Sequence, residues 1–175
     1  MQNTHTFEQL LEWLKLSDVD FNKLCQINHT SGSGPGGQHR NRKKTCVILQ
    51  HTPSQVSTES SGSRYGGENL KDALEKLRIL VALNPCQYPE IEITNPELPK
   101  FQHSKISERN PLLPLFMAWS LYFLHIKKAD YKAVSEIWSW SSSAFLKQIF
   151  QNPLFWNTFL EICSKYDKRA PFPPR

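Results

Sequence analysis

Apolar residues recur at helical spacing in two segments of the first half of the chain. Between residues 6 and 16 they occupy one face of a short amphipathic helix: Phe7, Leu10, Leu11 and Leu14. From Glu68 to Asn84 the same spacing continues over a longer segment: Leu70, Ala73, Leu74, Leu77, Leu80 and Val81. We therefore predict two helices, the first packed on the domain that follows it and the second covering a β-sheet.

Between these two helices lie shorter segments with the pattern of strands. A first strand is predicted around Leu24 to Asn28, and Cys46 to His51 forms a second, apolar run. Gln55 to Ser60 alternates in polarity, and the Thr-Pro-Ser turn before it makes these last two strands a hairpin. Residues 19–84 are thus predicted to form a small α+β unit of sheet plus helix.

Prolines and a return of helical spacing divide the rest of the chain. Residues 85–110 contain four prolines and little periodicity beyond a short extended piece at 91–94, which predicts a connector. Four helical patterns follow: Leu112–Lys128, Tyr131–Trp140, Ser143–Gln151 and Pro153–Tyr166. We expect an N-terminal helix at 1–18, the α+β domain at 19–84, the connector, and a small all-α module at 111–175 that ends in an unstructured tail.

The uncharged run between Arg109 and Lys127 raises the alternative of a membrane helix. This run is shorter than the ~20 residues that a membrane span requires, and it contains Pro114. An apolar helix inside a small bundle is the favoured interpretation, so we expect no association with a membrane.

The four cysteines are widely scattered: Cys25, Cys46, Cys86 and Cys163. The absence of a C-x-x-C pair favours reduced thiols over a disulfide framework or a zinc site. Cys25 with His29, and Cys46 with His51, are less favoured as ligand pairs than as ordinary core or surface residues, so no metal or cofactor is predicted. The residues after Met1 lack the pattern of a secretory signal, which makes the cytoplasm the expected location and leaves an organelle open.

The positive charge of the chain is concentrated in two regions. Residues 31–64 hold five Lys or Arg against one Glu, and residues 111–175 hold eight Lys or Arg against four Asp or Glu, whereas the whole chain carries +5. A local excess of cations favours a polyanion such as RNA. On charge alone, a solvated basic loop is an equal alternative.

One loop combines glycine and basic residues in an unusual way. Its sequence from Ser31 to Val47 is SGSGPGGQHRNRKKTCV, with glycines at 32, 34, 36 and 37. Glycine allows positive φ and leaves no Cβ to obstruct another molecule, while Pro35 restricts the chain just before Gly36. The basic residues after Gln38 could bind phosphates beside the point of insertion. The glycines therefore predict a narrow loop tip, and the basic residues predict a phosphate-binding segment next to it.

This loop resembles the GGQ signature of class I peptide-chain release factors and of their codon-independent rescue relatives. The resemblance covers residues 19–84 and continues after the tripeptide: Asn41 before a basic residue, Thr45 before the strand Val47–Leu49, the His-Thr-Pro-Ser turn, Arg64, and Asn69 opening a helix with Ala73 and Leu77. It implies the release-factor catalytic domain, a β-sheet with a packed helix. The tripeptide together with this strand-strand-helix order is more specific than a GGQ alone.

The resemblance also implies a chemistry: water-dependent cleavage of the peptidyl-tRNA ester in the ribosomal peptidyl transferase centre. The backbone N–H of Gln38 is expected to contact the developing charge or the leaving 3′ hydroxyl, while its side chain admits water. Gly36 and Gly37 would hold a backbone shape that a Cβ disfavours. Arg40, Arg42, Lys43 and Lys44 are expected to contact large-subunit ribosomal RNA, and the resemblance implies Gln38 as a candidate site for methylation by a protein glutamine methyltransferase.

The sequence leaves little room for the codon-reading domain of conventional release factors, so we expect rescue of stalled ribosomes without a stop codon. The long basic tail of rescue relatives is also not evident. The helical module could replace it by binding RNA or a helper protein, or it could simply complete the core. The competing hypothesis for the whole chain is a noncatalytic ribosome- or RNA-binding factor that retains the fold, although binding alone does not explain Gln38.

Overall fold

A computed structural model describes residues 5–31, 44–89, 92–101 and 104–173. The chain divides into two compact units, Met1–Asn84 and Pro85–Arg175. The first unit contains helices and a sheet, and the second contains helices, so the predicted α+β class is confirmed.

Two short helices begin the first unit. Helix α1, Phe7–Lys15, confirms the predicted amphipathic helix and is capped by Thr6, whose side chain accepts from the backbone N–H of Gln9. Helix α2, Asp18–Lys23, was not predicted. It has six residues and buries Phe21 alone, too few positions for a helical period to be visible in the sequence. Its start is fixed by the Ser17 side chain, which accepts from the N–H of Asp20.

The sheet of this unit is a three-stranded antiparallel meander. Its strands are β1, Cys25–Thr30; β2, Cys46–His51; and β3, Val56–Ser60, in that order across the sheet. The predicted hairpin of β2 and β3 is confirmed. Strand β3 starts one residue later than predicted because Gln55 has a left-handed backbone, with φ of 59°, that ends the turn. Strand β1 runs two residues beyond the predicted end.

Helix α3, Gly66–Leu83, confirms the second predicted helix and packs against β2 and β3. The core between them is apolar, with Val47, Leu49, Ala73, Leu77 and Val81 fully buried. Burial of this stripe is the main stabilising term for the layer, since apolar area removed from water contributes about 25 cal/mol per Å².

Arg78 joins α3 to the two N-terminal helices. Its guanidinium donates to the carbonyls of Leu14, at 3.3 Å, and Leu16, at 2.8 Å. It also donates to the carboxylate of Asp18 at 3.0 Å and lies 4.2 Å from the centre of the Phe21 ring. One planar cation thus satisfies two carbonyls near the end of α1 through two different nitrogens, a fork that the single nitrogen of a lysine does not offer.

The second unit contains the four predicted helices, which are therefore confirmed. They are α4, Leu113–Ile126; α5, Tyr131–Ile137; α6, Ser142–Phe150; and α7, Pro153–Lys165. Helix α4 is buried on all sides within this unit, from Leu113 to Leu124. In the parts of the chain that are described, no helix has both the length and the apolar character needed to cross a bilayer.

The proline-rich segment before α4 packs onto the helices of its unit. The backbone N–H of Ile93 donates to the Tyr122 hydroxyl at 2.6 Å, and the buried Gln148 side chain bonds both backbone groups of Ile106. Of the extended piece predicted at 91–94, residue 91 lies outside the described residues and 92–94 form no strand. Residues 170–173 of the tail belong to no helix or strand.

Candidate functional site

Most residues of the predicted catalytic loop lie outside the described part of the chain. This applies to the tripeptide and to the first three basic residues: Gly36, Gly37, Gln38, Arg40, Arg42 and Lys43. Of the predicted RNA contacts only Lys44 is described, and its side chain is exposed. The structure therefore informs on the stem of this loop and on the residues that hold the stem.

The stem consists of the two paired strands on either side of the loop. In the register of β1 and β2, Thr30 pairs with Cys46 and His29 pairs with Val47. The chain thus leaves the sheet and returns to it at two adjacent positions. Gln38 stands eight residues from Thr30 and eight from Cys46, at the midpoint of the connection.

The two stem strands differ in burial. On β2, Val47 and Leu49 are buried on the face that α3 covers, and Cys46 is buried as well, whereas the residues of β1 from Gln26 to His29 are exposed. The alternation of apolar residues fixes β2 in one register, because a slip by one residue would expose Val47 and Leu49. The returning arm of the loop is therefore attached to the core, and the outgoing arm is attached mainly through its pairing with β2.

Asn69 holds the base of the returning arm. Its side chain is 1% exposed, and its amide donates to the carbonyl of Thr45, the residue just before β2, at 2.6 Å. The same amide donates to the Ser63 carbonyl at 2.9 Å, while its oxygen accepts from the Ser63 backbone N–H at 2.8 Å. Three backbone groups from two separate segments thus depend on one buried side chain, and loss of such partners is costly.

The segment that Asn69 ties to the loop base continues into an exposed turn. Here Arg64 and Tyr65 are both exposed, and the Arg64 guanidinium lies 4.9 Å from the centre of the Tyr65 ring. The Ser63 hydroxyl receives the N–H of Tyr65 and donates to the carboxylate of Glu68, which closes the turn against the start of α3. Asn69 therefore links a cationic and aromatic surface to the base of the loop.

His51, at the other end of β2, belongs to the core. Its Nδ1 lies 2.7 Å from the Ser54 hydroxyl, its ring stacks 5.2 Å from that of Phe21, and it is fully buried. Burial and, to a smaller extent, the charge of the neighbouring His5 together lower the pKa of His51 from 6.5 to about 4. Ser54 is also buried, so this His-Ser pair has no access to a substrate and we assign it a structural role.

The four cysteines are free thiols, with Cys46 and Cys163 buried. Burial raises the pKa of the Cys25 thiol, which disfavours the thiolate that binds a metal. Within the described residues, no three His, Cys, Asp or Glu side chains are grouped so that they could hold a metal ion. The described geometry is that of a paired loop stem whose base is held by buried side chains.

Comparison with known proteins finds relatives that are named as release factors. Over 47 residues the chain is 45% identical to the mitochondrial translation release factor in rescue of Danio rerio, a stretch covering 27% of this chain and 30% of that protein. Over 63 residues it is 35% identical to the protein of the same name in Homo sapiens, covering 36% and 37%. The chain resembles peptide-chain release factors.

A third relative is also named as a release factor. The chain is 32% identical over 56 residues to peptide chain release factor 2 of Neorickettsia sennetsu, covering 32% of this chain and 15% of that protein. The matched stretches thus span between 15% and 37% of the relatives' own length. No family model matches the chain.

Two anchoring residues of this release-factor-like chain were not predicted from the sequence. The sequence indicates Asn69 only as part of the resemblance to release factors, where it opens a helix, and does not predict that its side chain is buried in a hydrogen-bond network. Arg78 stands among apolar residues of α3 and was not singled out either. An arginine in line with the apolar stripe of a helix is the signal that could have indicated its role.

Proposed function

We propose that this chain hydrolyses the ester bond of peptidyl-tRNA in the peptidyl transferase centre of the ribosome, without reading a stop codon. The observation that carries the proposal is the Gly36-Gly37-Gln38 tripeptide at the midpoint of the connection between β1 and β2. Similarity to proteins named as translation release factors in rescue supports a release-factor-like role in rescue.

The length of the connection fits a loop that enters a confined site. Gln38 lies eight positions along the chain from each strand end, and an extended chain spans at most ~3.3–3.6 Å per residue. Gln38 can therefore stand up to about 28 Å from the sheet. Its anchored base at Thr45 supports the proposal, because a tip positions a reacting group only when its stem is rigid.

The proposed reaction needs no enzyme-bound general base. Water attacks the ester carbonyl, the bond to the tRNA 3′ oxygen breaks, and the products are a free peptide acid and a tRNA hydroxyl. The backbone N–H of Gln38 stabilises the charge that gathers on oxygen, and its side chain positions the water. Gly36 and Gly37 permit the backbone shape that presents this N–H.

RNA contacts supply the affinity in this proposal. Arg40, Arg42, Lys43 and Lys44 neutralise phosphates of large-subunit RNA beside the tip, so binding weakens as salt concentration rises. Gln38 is also proposed as the substrate of a protein glutamine methyltransferase. Mass spectrometry of the native peptide containing Gln38 tests this, with a mass increase of one methyl group as the expected result.

The helical unit has a separate proposed role. Its four tryptophans are buried: Trp119, Trp138, Trp140 and Trp156. This supports the hypothesis that these aromatic residues complete a core, since a tryptophan that stacks on RNA must be exposed. A helper protein that binds this unit must therefore use other residues.

The names of two relatives bear on location. Both are named as mitochondrial, which supports an organelle as an alternative to the cytoplasm.

A peptide-release assay tests the proposed function. Purified protein is added to ribosomes that hold labelled peptidyl-tRNA with an empty decoding site, a sense codon or a stop codon. We expect release from the complex with the empty site at a rate that a stop codon does not increase. Release that requires a stop codon would refute codon independence, and binding without release in every complex would favour the noncatalytic factor.

A further inference from the structure

Tyr65 stands at the start of α3 with its ring open to solvent. Its side chain is 54% exposed, which is unusual for a large aromatic residue in a unit that buries Phe7 and Phe21 completely. The Arg64 guanidinium covers the ring at 4.9 Å from its centre. A tyrosine held beside a cation in this way presents a flat surface on which a nucleobase can stack.

Two glycines follow Tyr65, and the described chain gives no reason for them. A Cβ built on Gly66 or on Gly67 meets no atom within 4 Å, and neither residue has the left-handed backbone that favours glycine. Both lie in the first turn of α3, and glycine is less favourable than alanine in a helix, by up to about 1 kcal/mol in the interior. Glycine is needed at such a position when another molecule approaches the backbone closely.

The charges around this turn favour an anionic partner. Arg64 is exposed. Lys44 precedes Thr45, and the Asn69 amide that donates to the Thr45 carbonyl also donates to Ser63 in the turn. The nearby carboxylates are engaged: Glu68 accepts from Ser63, and Asp72 accepts from Ser60 and pairs with Lys76 at 2.7 Å. Arg64 is in no ion pair among the described residues, so its guanidinium is available to a phosphate, and Asp72 is neutralised by Lys76 whereas Glu68 keeps its charge.

We propose that Arg64, Tyr65, Gly66 and Gly67, here called the Tyr65 surface, bind an unpaired nucleotide of RNA. The base stacks on the Tyr65 ring, and the sugar-phosphate backbone passes over the two glycines, where a methyl group would obstruct it. Asn69 fixes this surface relative to Thr45, so the contact also orients the base of the loop. The identification of the RNA as ribosomal rests on the proposed function.

Binding of the full chain to purified large ribosomal subunits tests the Tyr65 surface. Stacking contributes about 1–3 kcal/mol per base, so Tyr65→Ala should weaken binding by between about 5-fold and 150-fold. Tyr65→Phe retains the ring and should restore most of the affinity. Because stacking neutralises no phosphate, Tyr65→Ala should leave the slope of log affinity against log salt unchanged.

The glycine variants separate binding from folding. Gly66→Ala and Gly67→Ala should raise the thermal stability of the first unit, or leave it unchanged, while they weaken binding to the subunits.

Lys15→Ala is the matched control for a surface change. It removes an exposed cation next to the Arg78 contacts, and Arg78 is twelve residues, or about 18 Å, along α3 from Gly66.

Ultraviolet crosslinking identifies the partner directly. We expect a nucleotide attached to the peptide that contains Tyr65. Unchanged binding of Tyr65→Ala, stabilised glycine variants that bind as the wild type does, no binding of the wild type, or crosslinks to ribosomal protein alone would each overturn the inference. Weakened binding of these variants in a protein that releases no peptide from any complex would uphold the Tyr65 surface and refute the proposed hydrolysis.

Discussion

The side-chain amide of Asn69 donates a 2.6 Å hydrogen bond to the backbone carbonyl of Thr45. Thr45 immediately precedes β2, and Asn69 lies in the first turn of the helix that covers this strand. The bond therefore connects the base of the Gly36-Gly37-Gln38 connection to the core by a route other than strand pairing. Because Asn69 is buried, water does not compete for this hydrogen bond.

Replacing Asn69 by aspartate should disturb this connection selectively. A carboxylate accepts from the Ser63 N–H but cannot donate to the carbonyls of Thr45 and Ser63, so we expect a stability loss of roughly 1–3 kcal/mol. Peptide release should slow by more than the fraction of unfolded protein explains. Chemical unfolding and release assays on the same preparation measure the two effects.

Val81→Ala is the control for the Asn69 variant. Val81 is fully buried near the other end of α3, and removing two methyl groups costs on the order of 2 kcal/mol. We expect this variant to lose stability but to keep its rate of release per folded molecule. Equal rates for the two variants at equal stability would mean that Asn69 has a general structural role only.

Arg78 should be sensitive to replacement by lysine. The guanidinium bonds the carbonyls of Leu14 and Leu16 through two different nitrogens and lysine has one, so we expect Arg78→Lys to destabilise the first unit by about 1–2 kcal/mol. Asp18→Asn should change the stability by less than about 0.5 kcal/mol, because the Asp18 side chain is 76% exposed. Urea unfolding measures both, and the opposite order would contradict the role of the backbone carbonyls.

The lowered pKa of His51 predicts that the first unit is less stable in acid. Its pKa falls from 6.5 to about 4 on folding, so between these pH values the unfolded chain binds more protons than the folded one. The stability that the neutral ring contributes is present above pH 6.5 and is lost as the pH falls towards 4. The full change is on the order of 3 kcal/mol.

Amide hydrogen exchange in β2 measures this dependence within the first unit. After correction for the intrinsic effect of pH on exchange, the free energy of opening at Val47 and Leu49 should decrease from pH 6.5 to pH 4.5. His51→Phe keeps a ring against Phe21 but cannot titrate, so its dependence on pH should be much flatter. An equally steep dependence in this variant would assign the effect to other groups.

The sequence predicted the regular elements better than the contacts that join them. Periodicity located α1, α3 and the four helices of the second unit, because each buries a continuous apolar stripe. It missed α2, which has a single buried residue, Phe21. It also placed the end of β1 two residues short, since the residues there are polar and are held by pairing with Cys46 and Val47.

The candidate site shows the same division. Gly36, Gly37 and Gln38 were assigned from a local motif, and a motif requires no knowledge of long-range contacts. The bond from Asn69 to Thr45 joins residues 24 positions apart. No short pattern encodes such a pair, so the part of the site that fixes the loop became visible only when the chain was folded.

The rate of peptide release by Gln38→Ala, compared with wild type and with Gln26→Ala, tests the central claim most directly. Gln26 is an exposed glutamine on β1 of the same unit and serves as the matched control. On ribosomes that hold peptidyl-tRNA and an empty decoding site, we expect Gln38→Ala to bind normally and to release peptide about 100-fold more slowly, because alanine keeps the backbone N–H but lacks the side chain that positions the water. Gln26→Ala should match the wild type, and wild-type release by Gln38→Ala would contradict the account.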